Sequence, residues 1–453
     1  MSGRLVSVVA PLYLFACLLL GGSVQGISGN LALQLAAIAI LAWAMMNGRP
    51  SIGRDASGLR WVVFATLAVV AFQLIPLPPA IWTTLPGRQP IIEGFRLLGD
   101  ALPWMPLSLS SERTVSSFLF LLPPGAMLAL LLRGSAEKPE RLAIATLTAA
   151  FISVLVGLMQ VIRGEAWYPY RITSQGAPVG LFANSNHLAS LLLATIPLLA
   201  ALAATYLRTG DKRPARDRFP VLAAIAIGAG VVVAGIAINR SFAILLLGGP
   251  MMAASALIFL PPGRVRLGRL SLLLALTIAA GALAIATIGG DRLTHLAGQA
   301  SVTERQQIWK SSAELAIDYL PVGSGLGTFE DVYKLQEDPD QVGREYINHA
   351  HNDFLEIVIE LGLPGIVLLL AFLAWWASRF IAIWRSPISP PLNRAATLVS
   401  LGLMLHSLVD FPLRPVALSA LLAAMLGLMA VAGPVPRRDG KGQPRHLRLE
   451  DLD

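Results

Sequence analysis

Long apolar segments alternate with polar segments along the whole chain. Twelve apolar runs have about 17 to 22 residues, the length that a helix needs to cross about 30 Å of hydrocarbon. They lie near residues 5–22, 30–47, 60–76, 114–132, 141–162, 187–207, 219–238, 241–260, 269–288, 364–384, 395–411 and 416–433. The pattern predicts an all-α polytopic membrane protein with about 12 transmembrane helices.

The composition agrees with a protein that lies in a bilayer. Of the 453 residues, 55% are hydrophobic and 14% are charged, and the mean hydropathy is +0.66. A soluble protein normally has about a quarter of its residues charged. Cys17 is the single cysteine, which excludes an internal disulfide framework and a cysteine-based metal site.

The distribution of charge predicts the orientation in the membrane. With both termini placed in the cytoplasm, the inner segments hold 23 of the 35 basic residues and 9 of the 27 acidic residues. An excess of lysine and arginine in cytoplasmic loops is the usual signal of membrane topology. The net charge of +8 therefore reports orientation, and nucleic acid is not needed to explain it.

The spans and polar segments predict four parts of the chain. They are residues 1–288 with helices 1 to 9 and periplasmic loops at 77–113 and 163–186, a large periplasmic loop at 289–363, residues 364–433 with helices 10 to 12, and a basic cytoplasmic tail at 434–453. The loop 77–113 is rich in proline and cannot be one long helix. We expect it to lie on the membrane surface, with Trp82 and Trp104 as interfacial anchors.

The large loop is predicted to contain a helix and a glycine-rich turn. Ser301-Val-Thr-Glu304 is a capping box, which predicts a helix as far as about Tyr319, and Pro321 ends it. The following segment, Gly323-Ser-Gly-Leu-Gly327, has no preceding strand, so a nucleotide-binding loop is disfavoured. We expect a turn that packs close to a neighbouring backbone.

The end of this loop carries the densest group of chemically active side chains. Apolar residues recur at helical spacing from Asp353, which places His351 and Asn352 at the first turn of a helix that is broken by Gly362 to Gly365. The two histidines, His349 and His351, are expected to face solvent near the membrane surface. With Asp353 or Glu356 they also suggest a metal site, although the spacing fixes no third ligand.

Arg240 lies in the turn between two apolar runs. A charge drawn into the bilayer costs roughly 2.5 to 3.5 kcal/mol, so such a residue usually has a partner or a function. One interpretation is an arginine that reaches to lipid phosphate at the outer interface. The other is a guanidinium that binds a pyrophosphate through its planar fork.

Four segments of the chain resemble one family of membrane enzymes. They are His351-Asn352 followed by Gly362-x-x-Gly365, Gly180-Leu-Phe-Ala-Asn184-Ser-Asn186-His187-Leu-Ala189, Arg305-Gln-Gln-Ile-Trp309 and Pro321-Val-Gly-Ser-Gly-Leu-Gly-Thr-Phe329. Together they resemble the O-antigen ligase and O-antigen polymerase superfamily. The resemblance implies a GT-C-like membrane glycosyltransferase that acts on polyprenyl-pyrophosphate-linked glycans. We expect no cofactor.

The resemblance also implies roles for individual residues. His351, Arg240 and Arg305 are implied to be catalytic, and the implied substrate-binding residues are Arg171, Asn184, Asn186, His349 and Asn352. Simpler roles stay open for two of these, since Asn186 can cap the next helix and Asn352 can cap its own. His406 and Asp410 are one turn apart and are expected to form a structural pair.

The function that we expect is O-antigen ligation at the periplasmic face of the bacterial inner membrane. The resemblance implies a glycan donor linked to undecaprenyl pyrophosphate. We expect transfer to a hydroxyl of the lipid A core, although the sequence does not identify the acceptor, and no metal ion, because two guanidiniums can neutralise the charge of the diphosphate. Close alternatives are an O-antigen or exopolysaccharide polymerase and a protein O-oligosaccharyltransferase. A polysaccharide transporter or flippase is the alternative from another class, but repeated halves and mid-membrane charges, which are typical of transporters, are not found in the sequence.

Overall fold

The structure is a computed structural model that describes residues 3–25, 27–46, 54–133, 138–209, 215–239, 241–261, 302–337 and 347–431. Within these ranges the regular secondary structure is almost entirely helical. The exception is a short antiparallel pair, β1 (Pro76–Leu77) and β2 (Met105–Pro106), in which Pro76 is opposite Pro106. This pair closes the base of the proline-rich loop.

The helices follow the apolar runs. In the first half of the chain they are α1 (Gly3–Leu20), α2 (Ser28–Met46), α3 (Arg54–Gln73), α4 (Pro79–Trp82), α5 (Gln89–Leu98), α6 (Ser111–Arg133), α7 (Glu140–Arg163) and α8 (Ser185–Thr209). In the second half they are α9 (Ala215–Asn239), α10 (Phe242–Ala256), α11 (Val302–Tyr319), α12 (Phe329–Gln336), α13 (Asp353–Arg385), α14 (Pro391–His406) and α15 (Val416–Ala430). Short 3₁₀ turns follow α7 and α10.

The prediction of an all-α polytopic membrane protein agrees with these helices. Eleven of the twelve apolar runs coincide with a described helix, and the run at 269–288 lies outside the described residues. Seven helices in the described part are long and apolar enough to cross a membrane: Ser28–Met46, Ala56–Gln73, Ser111–Arg133, Glu140–Arg163, Ser185–Arg208, Phe219–Asn239 and Asp353–Arg385. The number of twelve spans and the periplasmic loop stay predictions.

Helix α8 is the central helix of the bundle. It packs against α7, α9, α10 and α14, and α15 in turn packs against α1, α6 and α14. The α8 side chains Leu188, Leu191, Leu192 and Leu198 are fully buried in the main apolar core. Since lipid tails are as apolar as leucine, such helices associate through close packing and polar contacts more than through removal from water.

The proline-rich loop has its own small core. Trp82 is only 1% exposed and its Nε1 donates to the carbonyl of Pro103 at 2.9 Å, so its assignment as an interfacial anchor is wrong. Trp104 is 66% exposed and keeps that interpretation. Arg88 is buried beneath the loop and donates to the carbonyl of Leu107, and burial lowers the pKa of Arg88 to about 10.

The glycine-rich turn after α11 packs against the backbone of α13, as predicted. Ser324 and Gly325 donate their backbone N–H groups to the carbonyls of Ile359 and Glu360, both at 2.9 Å. Gln73 of α3 joins the two segments, because its amide donates to the Glu360 carbonyl at 2.8 Å and accepts from Leu326 at 3.0 Å. The turn therefore fixes α11 relative to the start of α13.

We expect Gly323→Ala to lower the midpoint of thermal unfolding in detergent. The φ angle of Gly323 is +81°, and a Cβ atom there would lie 2.5 Å from the Glu360 carbonyl oxygen. Holding another residue in this conformation costs about 1 to 3 kcal/mol, before the steric overlap is counted. Gly94→Ala in α5 is the control, because nothing lies within 4 Å of its new Cβ. Equal midpoints for the two variants would contradict this account.

Candidate active site

The site begins where the large loop enters α13. Asn352 is the N-cap, and its side chain accepts a hydrogen bond from the backbone N–H of Leu355 at 3.0 Å. The helix is interrupted at Gly362, whose φ of 61° and ψ of −144° are not helical. The predicted start, cap and break of this helix are therefore confirmed.

His351 is held in an unusual backbone conformation just before the cap. Its φ angle is +49°, which is uncommon for a residue other than glycine, although histidine tolerates it better than most. Trp309 of α11 donates its Nε1–H to the His351 carbonyl at 3.2 Å. The His351 side chain is 23% exposed and that of His349 is 15% exposed. Both are half-buried, so the expectation that they face solvent freely is wrong.

The carboxylate of Asp410 is the centre of the site. Its Oδ1 lies 3.4 Å from His351 Nδ1 and accepts the backbone N–H of Phe411 at 2.8 Å. Its Oδ2 accepts from the side-chain amide of Asn186 and lies 4.0 Å from Arg305 Nη2. His406 Nε2 is 3.9 Å from the same oxygen. Asp410 is fully buried, so two hydrogen bonds, from Asn186 and the Phe411 N–H, and the three nearby basic side chains replace the water that its charge would otherwise hold.

The turn that contains Arg240 is tied to the same network. Ser241 donates its hydroxyl to Asn186 Oδ1 at 2.8 Å, and its backbone N–H donates to Asn239 Oδ1 at 3.2 Å. Asn239 also donates to the carbonyl of Ser185 at 3.0 Å. Arg240 itself lies outside the described residues. Both of its neighbours are buried beside the start of α8, and Ser241 is two hydrogen bonds from Asp410.

Three imidazoles surround the ring of Phe411. The ring centroids of His349, His351 and His187 lie 4.2, 5.1 and 5.2 Å from it. His187 is 2% exposed, and neither of its ring nitrogens has a hydrogen-bond partner. Leaving a buried polar atom unpaired usually costs about 1 to 3 kcal/mol, so this imidazole is a further candidate for contact with a bound substrate.

A second buried network lies beside the first, around Arg414. Its guanidinium lies 2.5 Å from Glu356, 3.4 Å from Glu360 and 3.5 Å from Asp353, and all three carboxylates are buried. Burial alone would lower the pKa of Arg414, but the three negative charges raise it above its usual value. His349 Nδ1 is 3.2 Å from Glu356, so this network holds the imidazole that stacks on Phe411.

The predicted substrate-binding residues divide into two groups. Asn186 and His349 belong to the buried networks, whereas Arg171 is exposed and forms no hydrogen bond or ion pair with another described residue. Asn184 caps α8, because its Oδ1 accepts the backbone N–H of Asn186 at 2.8 Å. The alternative role of Asn186 as the cap is therefore wrong. The binding roles themselves stay predictions.

The two other interpretations of the histidines have different outcomes. His349 and His351 point at separate carboxylates, and no group of three histidine, cysteine or carboxylate side chains in the described part has the arrangement of a metal site. His406 does lie near Asp410, but its closest partner is Ser190, whose hydroxyl is 2.6 Å from His406 Nδ1. The pair is thus part of a larger network.

Arg414 and the acidic helix face that binds it were not predicted from the sequence. Asp353, Glu356 and Glu360 are spaced i, i+3 and i+7, which places them on one face of a helix that is otherwise apolar. Acidic residues on an apolar helix usually have a partner, and this spacing was visible in the sequence. The partner, Arg414, follows 54 residues after Glu360, and its position could not be predicted from the sequence.

The fold and the site define a multi-pass α-helical membrane protein with a buried aspartate that lies within 4.0 Å of two histidines and an arginine. A family model described as O-antigen ligase matches residues 218–370, and it confirms the resemblance to the O-antigen ligase and O-antigen polymerase superfamily. This family supports a membrane glycosyltransferase of the ligase or polymerase type. No curated protein matches the chain. Asn186, Asp410 and Arg414 lie outside the matched residues and complete the site.

Proposed function

We propose that the protein transfers a glycan from undecaprenyl pyrophosphate to an acceptor hydroxyl, as an O-antigen ligase that uses the lipid A core. One observation carries the proposal. His351, Arg305 and Asn186, which come from three separate family-like segments, meet at the carboxylate of Asp410. The predicted orientation places this centre at the periplasmic face of the inner membrane, where a lipid-linked donor is the available source of glycan.

His351 is the proposed base. His351 Nδ1 lies 3.4 Å from Asp410 Oδ1 without forming a hydrogen bond. We place a proton on this nitrogen, which leaves Nε2 to accept the proton of the acceptor hydroxyl. The hydroxyl oxygen then forms a bond to the anomeric carbon, and the bond from that carbon to the pyrophosphate oxygen breaks. The leaving undecaprenyl pyrophosphate keeps the electron pair. The negative charge of Asp410 stabilises the imidazolium that results.

Arg305 and Arg240 are the proposed partners of the diphosphate. Arg305 is 8% exposed, and its Nε has no hydrogen-bond partner. Its contact with Asp410 is long, at 4.0 Å, so several N–H groups stay available for phosphate oxygens. Two guanidiniums beside the leaving group would stabilise its growing charge, and for this reason we propose a reaction that requires no metal ion.

Purified protein in nanodiscs tests the proposal directly. Given an undecaprenyl-pyrophosphate-linked oligosaccharide and lipid A core, it is expected to release undecaprenyl pyrophosphate and to form a larger lipid A product. A transporter or flippase would leave the donor intact. If the donor is consumed only in the presence of a second lipid-linked repeat, the polymerase alternative replaces the ligase. Deletion of the gene in the host, followed by gel analysis of its glycans, distinguishes the same two alternatives. Accumulation of unligated polymer indicates a ligase, and accumulation of single repeats indicates a polymerase.

Asp410→Asn is expected to reduce transfer by at least about tenfold, but by less than removal of His351. The variant keeps the shape of the side chain and removes the charge that orients and stabilises the imidazole. We expect kcat to fall while KM for the donor stays within about twofold, because Asp410 acts through His351. Asp331→Asn makes the same chemical change at an exposed residue paired with Arg113 and is the control. A higher KM for the donor with an unchanged kcat would refute the positioning role. Equal activity of the Asp410→Asn and Asp331→Asn variants would refute it as well.

A further inference from the structure

Two arginines meet at the end of the bundle that is remote from the candidate active site. Arg208 donates from Nη2 to the carbonyls of Ile258 and Leu260, at 3.1 and 3.2 Å. Arg394 at the start of α14 donates from Nη1 to the same Leu260 carbonyl at 3.2 Å. Arg208 and Asn186 are at opposite ends of α8. At a rise of about 1.5 Å per residue they are about 33 Å apart, close to the thickness of the hydrocarbon core of a bilayer.

Capping of helix carbonyls explains only part of this arrangement. Arginines commonly donate to the last carbonyls of a helix, and here each guanidinium uses one nitrogen in that way. Arg394 is 0% exposed, and its Nε and Nη2 have no hydrogen-bond partner. The ring of Trp384, 5.3 Å from the Arg394 guanidinium carbon, contributes a cation–π contact. Most of the hydrogen-bonding capacity of the pair is left unused.

The two positive charges also have no counter-charge in the described part of the chain. Neither Arg208 nor Arg394 forms an ion pair with any carboxylate there. Carbonyl oxygens carry only partial charges, and a buried guanidinium without an anion is costly in a protein interior or a bilayer. The two arginines therefore need a negatively charged partner, and the described part of the chain does not provide one.

The surface next to the pair is suited to lipid. Leu207, Phe259 and Leu260 are 55%, 45% and 42% exposed; Leu207 precedes Arg208, Phe259 follows Ile258, and the Leu260 carbonyl accepts from both guanidiniums. The charge distribution predicts that Arg208 and Arg394 both lie at the cytoplasmic face, whose lipids include anionic ones. An acyl chain along this apolar surface would bring its phosphate to the two arginines.

We infer that Arg208 and Arg394 form a binding site for the phosphate group of an anionic phospholipid of the cytoplasmic leaflet. The guanidinium fork of the exposed Arg208 matches two oxygens of a phosphate, and the buried Arg394, which shares the Leu260 carbonyl with it, adds a second positive charge beneath the site. The inference is independent of the proposed glycan transfer, because the two sites are at opposite ends of α8.

Native mass spectrometry of the detergent-purified protein, titrated with phosphatidylglycerol, tests the site. Arg208→Gln is expected to weaken binding of the first lipid by about five- to tenfold, which is typical for loss of one basic residue. Arg385→Gln is the matched control, because Arg385 is exposed at the same predicted face and forms no hydrogen bond or ion pair with a described residue. Its affinity should equal that of the wild type.

Further arms of the experiment separate the sources of phosphate. Phosphatidylcholine at the same concentration should bind at least about fivefold more weakly than phosphatidylglycerol. Equal binding of the two lipids, or equal losses in Arg208→Gln and Arg385→Gln, would overturn the inference. So would displacement of the lipid by an equal concentration of inorganic phosphate, which would indicate a site for soluble anions. Arg208 is exposed, so its variant is expected to fold, and an unchanged thermal midpoint checks this.

Discussion

Replacing His351 with alanine or asparagine is expected to abolish glycan transfer while the protein remains folded and inserted in the membrane. Loss of a positioned general base typically costs roughly 100- to 10,000-fold in rate. Asparagine is the more informative variant, because it tolerates a positive φ angle and removes the imidazole without adding backbone strain. The measurement is the release of undecaprenyl pyrophosphate by purified protein in nanodiscs.

The control for this experiment is another histidine of the same chain. His446 lies in the predicted cytoplasmic tail, beyond the matched residues 218–370, and His446→Asn should transfer glycan at the wild-type rate. Thermal unfolding of His351→Asn separates a lost base from a lost fold. Activity within about threefold of the wild type in a correctly folded His351→Asn protein would remove His351 from the mechanism, since a general base cannot be that dispensable.

Replacing Arg414 with methionine is expected to destabilise the protein severely. The change leaves the carboxylates of Asp353, Glu356 and Glu360 buried without their shared cation. Removal of one partner from a buried ion network typically costs about 3 to 5 kcal/mol, a large share of the stability of most proteins. We expect a much lower yield in the membrane and a lower thermal midpoint, measured by fluorescence-detected size exclusion after heating.

Two further variants distinguish loss of charge from loss of packing around Arg414. Arg414→Met combined with Glu356→Gln should recover part of the stability, because one uncompensated charge is removed at the closest contact of the network. Arg96→Met is the surface control, since Arg96 and Glu93 form an exposed pair of little value. A double variant as unstable as Arg414→Met would mean that the arginine acts mainly through packing of its side chain.

The positions of the spans were predictable because a bilayer imposes a simple length rule on apolar runs. The cap at Asn352 and the break at Gly362 were also visible, since both depend on residues that are close in sequence. Trp82 was misassigned for the opposite reason. An aromatic residue in a membrane-surface loop is usually interfacial, but here the loop folds back so that Trp82 meets Pro103. Such a reversal is a tertiary property that no local pattern encodes.

The site was predictable only in part. Resemblance identified His351 and Arg305, and the spacing of His406 and Asp410 indicated a pair one turn apart. Neither the resemblance nor the spacing showed that His351 and Asn186 would also contact Asp410, because these residues are 59 and 224 positions away from it in the chain. Arg414 was missed for the same reason. Its three acidic partners lie on one helix face, but the arginine follows in a short loop between two prolines.

Helix α11 makes two separate contacts with the centre of the site, and they are one turn apart. Arg305 lies beside Asp410, and Trp309 is bonded to the carbonyl of His351. A turn of helix is stiff, so α11 cannot shift toward a diphosphate without also displacing the backbone that carries the imidazole. In the proposed mechanism, binding of the donor by Arg305 and alignment of the base His351 are therefore coupled through this one helix.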